Sequence, residues 1–336
     1  MDLKTLTEIN APSGHEQAIR RFLLDELKKL GFAPVLDRMG NVVVVKEGMG
    51  DAPRKRVMVS AHMDEVGLIV TSATEDGYLR IAAAGGIDPR VLVSKRVTVG
   101  EDKLPGVIGA VPIHLQSAAE RKHVLSMDEL LVDIGAKNKD EAECKAPMGT
   151  YISFDTPYVE YGDGFACGKA FDDRVGCLSL LRLLQEELPV DLVACFVSEE
   201  EVGCRGAKGA AFQQEPDIGI VLEGTTCNDL GDVPETAHVC EAGQGVAVSF
   251  MDGASIANRA LFRKALDVAK QENIPHQVKH SVSGGNDGGA IQRAREGVPV
   301  VVLSVPCRYI HSPSSVVKLL DVESQFALVK ALVKAL

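Results

Sequence analysis

Tryptophan is absent from this 336-residue chain, and aromatic residues of any kind make up 4% of it. Polysaccharide and base recognition usually needs flat ring faces for stacking, so this scarcity counts against both. Positive charge is short as well: 36 Lys and Arg stand against 47 Asp and Glu, a formal charge of −11. Clustered cations supply most of the affinity for nucleic acids and anionic membranes, so neither partner is expected. No 18 apolar residues run together, which leaves no candidate membrane-spanning helix. The opening MDLKTLTEINAPSGHEQ lacks the basic-then-apolar order of a secretory leader. The eight cysteines are scattered without a C-x-x-C pair, which argues against a zinc ribbon or a disulfide framework. Reduced thiols in a cytoplasmic protein fit that pattern.

What is present suits a packed globular protein. Hydrophobic residues make up 46% and charged ones 25%, and the length fits one large domain or two moderate ones. Ser13-Gly14-His15-Glu16 fits an S-x-x-E capping box, followed at helical spacing by Ile19, Phe22, Leu23, Leu27 and Leu30. Val42–Val45 and Val57–Ser60 read as buried strands. From 68 to 162 the texture changes to short alternating strands between Gly, Pro and Asp turns, an all-β module. Helix–strand alternation returns near residue 172, with helices expected over Val175–Leu188, Ala257–Gln271 and Val322–Leu336. Strands are expected over Leu192–Val197, Ile218–Leu222 and Val300–Ser304. The economical reading is an α/β framework, residues 1–67 and 163–336, with a β-rich module of residues 68–162 inserted into it.

Reactive residue types gather where these strands end, the usual place for a site in an open α/β sheet. His62 and Asp64 follow the strand Val57–Val59. A metal on one ring nitrogen with a carboxylate behind the other is one reading, and a core histidine satisfied by Asp64 is the other. Asp172 and Asp173 repel one another unless a cation or a helix dipole offsets them, and either could instead cap a helix. Glu199, Glu200 and Glu201 leave a buried strand together. One could ligate a metal while its neighbour acts as general base, or the three could form an acidic helix start. Glu223 closes another apolar run, and His311 lies just beyond Val300–Ser304. Imidazole and carboxylate donors without thiolates suit Zn²⁺, Co²⁺ or Mn²⁺ in a hydrolytic site. The glycine-rich stretch 283–289 matches neither a P-loop nor a dinucleotide fingerprint, and Asp287 is expected to cap a helix beginning near Gly288. No G-x-S-x-G occurs, and no cysteine sits in a recognisable activating setting.

Taken in order, AHMDEVG (61–67), GKAFDDRVG (168–176), EEEVGCRGA (199–207), LEGTTCND (222–229), SGGNDGGAIQ (283–292) and RYIHSP (308–313) resemble metallopeptidase family forty-two, the glutamyl, deblocking and tetrahedral aminopeptidases. The resemblance covers essentially the whole chain. It implies a zinc-peptidase-like mixed sheet flanked by helices, with an inserted barrel-like β domain that mediates dimerisation. It also implies a metal-dependent aminopeptidase that trims short peptides with two divalent cations per subunit. By this match His62 is a ligand of the first metal, Asp64 orients it, and Asp172 bridges both metals, often with a cis peptide bond after it. Glu223 is the remaining ligand of the first metal, Glu201 and His311 are ligands of the second, and Glu200 is the general base. The match is anchored on E-E-V-G; a one-residue shift would give base and ligand to Glu199 and Glu200. The family self-associates as dimers and as tetrahedral dodecamers. Rival readings are a metal-dependent deacylase of capped substrates, a glycosidase, and an inactive scaffold. The histidines among the carboxylates and the missing tryptophan speak against the glycosidase.

Overall fold

In the computed structural model, which describes residues 2–336, the chain builds two β structures: an eleven-stranded sheet and a closed six-stranded barrel. The centre of the large sheet is parallel. Asp191–Val197, Arg56–His62, Ile218–Thr226 and Val300–Arg308 lie side by side in that order, with Val197 opposite His62 and Glu223 opposite Ser304. These strands are buried on both faces and therefore read as continuous Val, Ile and Leu runs rather than alternations. Antiparallel strands complete both sides: Val42–Lys46 pairs with Asp191–Val197, and Ser315–Lys318 pairs with Val300–Arg308.

Helices cover the two faces unequally. Gln17–Lys29, Phe171–Leu183, Arg259–Gln271 and Leu319–Lys334 enclose the larger core, where Leu23, Phe171, Leu180, Phe196, Leu303 and Leu332 are all fully buried. Arg205–Gln214 and Asp287–Gln292 pack the other face largely through small side chains, among them Ala207, Ala210, Ala211 and Ala290, with Ile291 beside them. Alanines let these helices sit close to the sheet, which fixes both helix starts beside the strand ends.

The barrel runs Gly67–Ala73, Leu79–Ala84, Leu131–Asp133, Leu104–Gly109, Arg96–Val99 and Tyr151–Phe154 around its wall. Alternate residues point inward, so Leu68, Val70, Leu79, Ile81, Val97, Val99, Ile152 and Phe154 form a separate core. The α/β class with an inserted β-barrel is thus the fold adopted. Val159–Tyr161 pairs with Phe165–Gly168 in the large sheet, so the barrel strands end at Phe154.

Several local expectations differ. The first long helix begins at Gln17 with Glu16 as its N-cap and no side-chain capping bond; Ser13 instead donates to Asp64 Oδ2 at 2.7 Å. Glu16 Oε1 accepts the Gly14 N–H at 2.7 Å, while the Ser13 N–H donates to the Glu65 carbonyl at 3.1 Å, so neither half of the expected box is made. At the late glycine-rich stretch the cap is Asn286, whose side chain accepts from Gly288, not Asp287. The helix that could have started at Glu199–Glu201 begins instead at Arg205 and runs to Gln214, where alanines and glycines give little hydrophobic periodicity.

Candidate metal centre

Four parallel strands end on one edge, and each delivers part of a single cluster. His62 is the last residue of its strand, and Glu199–Glu201 follow Val197 and Ser198 in the turn beside it. Glu223 sits within Ile218–Thr226, and His311 lies three residues beyond Arg308. Asp172 comes from the start of Phe171–Leu183. There its φ of −82° and ψ of 109° depart from helix, and the Asp172–Asp173 peptide bond is cis. Left-handed backbone recurs around the site, at Ala170, Glu199, Cys204 and His311, with φ between 53° and 56°. Such conformations cost non-glycine residues energy and gather at functional sites.

Asp172 stands at the middle of the cluster. Its Oδ1 lies 3.3 Å from His62 Nε2, and its Oδ2 lies 3.5 Å from His311 Nε2. Around His62 Nε2, Glu223 Oε2 is at 3.6 Å and Glu200 Oε2 at 4.0 Å. Around His311, Glu201 Oε2 is at 3.2 Å from Nε2. Two donor sets therefore share one carboxylate: His62, Asp172 and Glu223 on one side, Asp172, Glu201 and His311 on the other. The two aspartates divide the roles that the sequence left open. Asp173 accepts the Gly176 and His62 backbone N–H groups at 3.0 and 3.2 Å, a local structural task, while Asp172 faces the cluster. Glu199 turns away and pairs with Arg205 at 3.2 Å.

Asp64 holds the assembly from behind. It lies 3.5 Å from His62 Nδ1, accepts the Ser13 hydroxyl, and takes the backbone N–H groups of Glu200 and Glu201 at 3.1 and 3.2 Å. Sequence reading missed Ser13 in this role because a serine four places before a helix already had a capping explanation. It also missed Gln325, which donates to the Glu223 carbonyl at 3.1 Å from the far helix. Only contact across the fold identifies that residue.

The electrostatics call for cations. Burial, with Asp172 repelling both, pushes Glu201 up to about 8 and Glu223 up to about 7. Burial opposes charge on His311, yet Asp172 and Glu201 outweigh it and raise that imidazole to about 9. Without a metal the cluster must hold protons, and Glu223 Oε1 is buried with no hydrogen-bond partner. Donor atoms of His62, Asp172 and Glu201 lie within 4.8 Å of one another, as do those of His62, Asp173 and Glu223, and imidazoles among carboxylates at such spacing fit divalent ions such as Zn²⁺, Co²⁺ or Mn²⁺. A cavity of about 270 Å³ opens over the cluster, lined by Asp172, Glu200, Glu223 and His311 together with Lys279 and Ile310. Lys279 is 6% exposed, and its Nζ donates to the Ser283 carbonyl at 3.1 Å with no carboxylate paired to it among the described residues.

The sequence model of the M42 glutamyl aminopeptidase family matches residues 40–328. The chain is 33% identical to the lysyl aminopeptidase of Pyrococcus furiosus over 345 residues, covering 99% of this chain and 96% of that one. A TET aminopeptidase from Thaumarchaeota archaeon SCGC AB-539-E09 superimposes with a TM-score of 0.94 at 33% identity, covering 99% of this chain and 95% of that one. The Pyrococcus horikoshii TET1 peptidase, which assembles into a tetrahedron or a large octahedral shell, gives a TM-score of 0.87 at 33% identity over 99% of this chain and 98% of that one.

Proposed function

Because the chain belongs to the M42 glutamyl aminopeptidase family, we propose that it is a metal-dependent aminopeptidase that removes N-terminal residues from short peptides. The observation that carries the reading is Asp172, whose two oxygens face different histidines, each with its own glutamate. His62, Asp172 and Glu223 would hold one divalent ion, and Asp172, Glu201 and His311 a second; zinc or cobalt suits these donors, and manganese is compatible. Such ions, when bound, polarise the scissile carbonyl and acidify the attacking water.

The protein's own groups do the rest. Glu200, 11% exposed and projecting into the cavity, accepts a proton from the attacking water and delivers it to the departing amine. Asp64 fixes the His62 ring and, through two backbone N–H groups, the turn that carries Glu200. Lys279 supplies an unpaired positive charge in the same cavity and supports a preference for substrates with an acidic first residue.

The chain is also proposed to self-associate through its barrel module, as a dimer or a larger shell. Val111, Ile113 and Leu115, on a loop between two barrel strands, are 61–70% exposed, an apolar patch that a partner copy would cover. None of the described helices is long and apolar enough to cross a membrane. A reducing cytoplasm suits the cysteines, which are free thiols.

The test is a panel of aminoacyl-p-nitroanilides, each free and N-acetylated, assayed with metal-depleted protein reconstituted separately with Zn²⁺, Co²⁺ or Mn²⁺. Turnover of free but not acetylated substrates, restored by metal, is expected. Turnover of only the acetylated set would replace the aminopeptidase reading with a deacylase.

A further inference from the structure

Glu200 has neighbours that peptide hydrolysis does not require. The turn after Glu200 closes with the Gly203 and Cys204 N–H groups donating to the Glu200 carbonyl at 2.9 and 2.8 Å, which brings Cys204 Sγ within 3.3 Å of Glu200 Oε1. Asp287 reaches the same point from another element. Asn286 has taken over the capping of its helix, so the Asp287 carboxylate has no structural duty. Asp287 is 1% exposed, and neither of its carboxylate oxygens has a hydrogen-bond partner. An ionised carboxylate so placed is costly unless something positive compensates it.

One donor atom from each of Glu200, Cys204 and Asp287 lies within 4.8 Å of the other two. Neither Cys204 nor Asp287 belongs to the donor sets built around Asp172, so this is a separate constellation. We propose that Glu200, Cys204 and Asp287 form a third divalent-cation site, selective for thiophilic ions such as Zn²⁺ or Cd²⁺, whose occupation switches the enzyme off. The thiolate sets the selectivity, because soft sulfur favours Zn²⁺ and Cd²⁺ over Mg²⁺, Ca²⁺ or Mn²⁺. Modest inward movement of the Glu200 and Cys204 side chains brings the donors to zinc bond lengths of about 2.0–2.3 Å. Cys204 is half-exposed, which gives an incoming ion access from solvent and leaves a coordination position for water.

Burial, with Asp287 and Glu200 beside it, keeps the Cys204 thiol protonated when no ion is present. Binding therefore expels that proton to solvent, as thiol ligation requires. The inhibitory consequence rests on the reading of Glu200 as the base: a carboxylate engaged by a third ion can no longer take a proton from water. Binding itself does not depend on that reading.

The experiment keeps the two apart. Zinc-loaded protein is titrated with Cd²⁺ while the thiolate-to-cadmium ultraviolet absorption and the peptidase rate are both followed. The wild-type chain is expected to gain the absorption and lose rate over the same range of added ion. Cys204→Ala is expected to lack that absorption and to need at least about tenfold more ion for half-inhibition. Cys204→Ser, closer in size, takes its place if the alanine variant does not fold. Equal absorption in wild type and variant overturns the site, whatever the rates do. Absorption that depends on Cys204 while the rate is untouched would leave the ion site standing and remove the switch.

Discussion

The Asp64 carboxylate accepts the Glu200 backbone N–H at 3.1 Å, so the group behind the His62 ring also fixes the turn that presents the proposed base. One buried side chain thus sets two parts of the centre against each other. Asp64→Asn keeps the size and one acceptor oxygen but loses the charge that polarises His62. Metal affinity, measured by equilibrium dialysis, is expected to fall by about 10–100-fold with the circular dichroism spectrum unchanged. Unaltered affinity would mean that Asp64 only stabilises the turn.

Glu200→Gln separates proton transfer from metal binding. The two donor sets around Asp172 do not include Glu200, so the variant is expected to retain near-stoichiometric metal. Loss of a positioned general base typically removes about 10²–10⁴ of rate, and kcat should fall by that much. Substantial peptidase activity at full metal content would remove Glu200 from the role.

Much of this centre could be read from the chain because a parallel strand announces itself as a short Val/Leu/Ile run, and the site lies where such runs stop. His62, Glu200, Glu201 and Glu223 were visible for that reason. Asp172 was legible as a bridge only through the family resemblance, since nothing local sets it apart from Asp173 and only its non-helical ψ of 109° swings it toward both histidines. Cys204 and Asp287 illustrate the opposite limit. They are 83 positions apart in sequence, and nothing local tells either that the other lies across the same turn. Asp287 looked like a cap, the commonest use of aspartate before a glycine, and Asn286 next to it performs that task instead. The barrel was legible as alternating strands; its closure depends on pairing Tyr151–Phe154 with Gly67–Ala73, 78 residues or more apart in sequence.

Stability without metal should depend on pH in a definite direction. Glu201 and Glu223 ordinarily titrate near 4.5 but do so at about 8 and about 7 in the folded chain. Between those values the folded state binds more protons than the unfolded state, so stability falls as pH rises. His311, raised from 6.5 to about 9, acts in the same sense: its contribution is complete below 6.5 and lost as pH passes 9. In chelator, the unfolding temperature is expected to drop steadily from about pH 5 to pH 9. Bound cations favour the ionised carboxylates, so the same calorimetric series with metal should lose most of that slope.

Gly224 makes the bridge possible. Its N–H donates to Asp172 Oδ1 at 3.0 Å, and a Cβ built on it would stand 2.9 Å from that oxygen and 3.0 Å from the Asp172 Cβ. Gly224→Ala must therefore push Asp172 away from its place between the histidines. Both metal equivalents should weaken together, because both sets use Asp172. Loss of one equivalent alone, in a metal-content assay, would contradict the shared carboxylate.

Lys279 is the side chain expected to choose the substrate. It lines the cavity over the metal donors, is 6% exposed, and spends only one hydrogen bond, on the Ser283 carbonyl. An acidic side chain at the substrate's first residue could take the remaining donors, and hydrogen bonds to charged groups contribute about 1.5–3 kcal/mol. Lys279→Met preserves most of the stem and removes the charge. The ratio of kcat/KM for glutamyl over leucyl p-nitroanilide is then expected to fall by about 10–100-fold, at 1.4 kcal/mol per factor of ten. The leucyl rate itself should change little, since an aliphatic residue makes no use of the charge. A uniform loss on both substrates would assign Lys279 to holding the 279–283 segment through Ser283, and the preference for acidic residues would have to be sought elsewhere in the cavity.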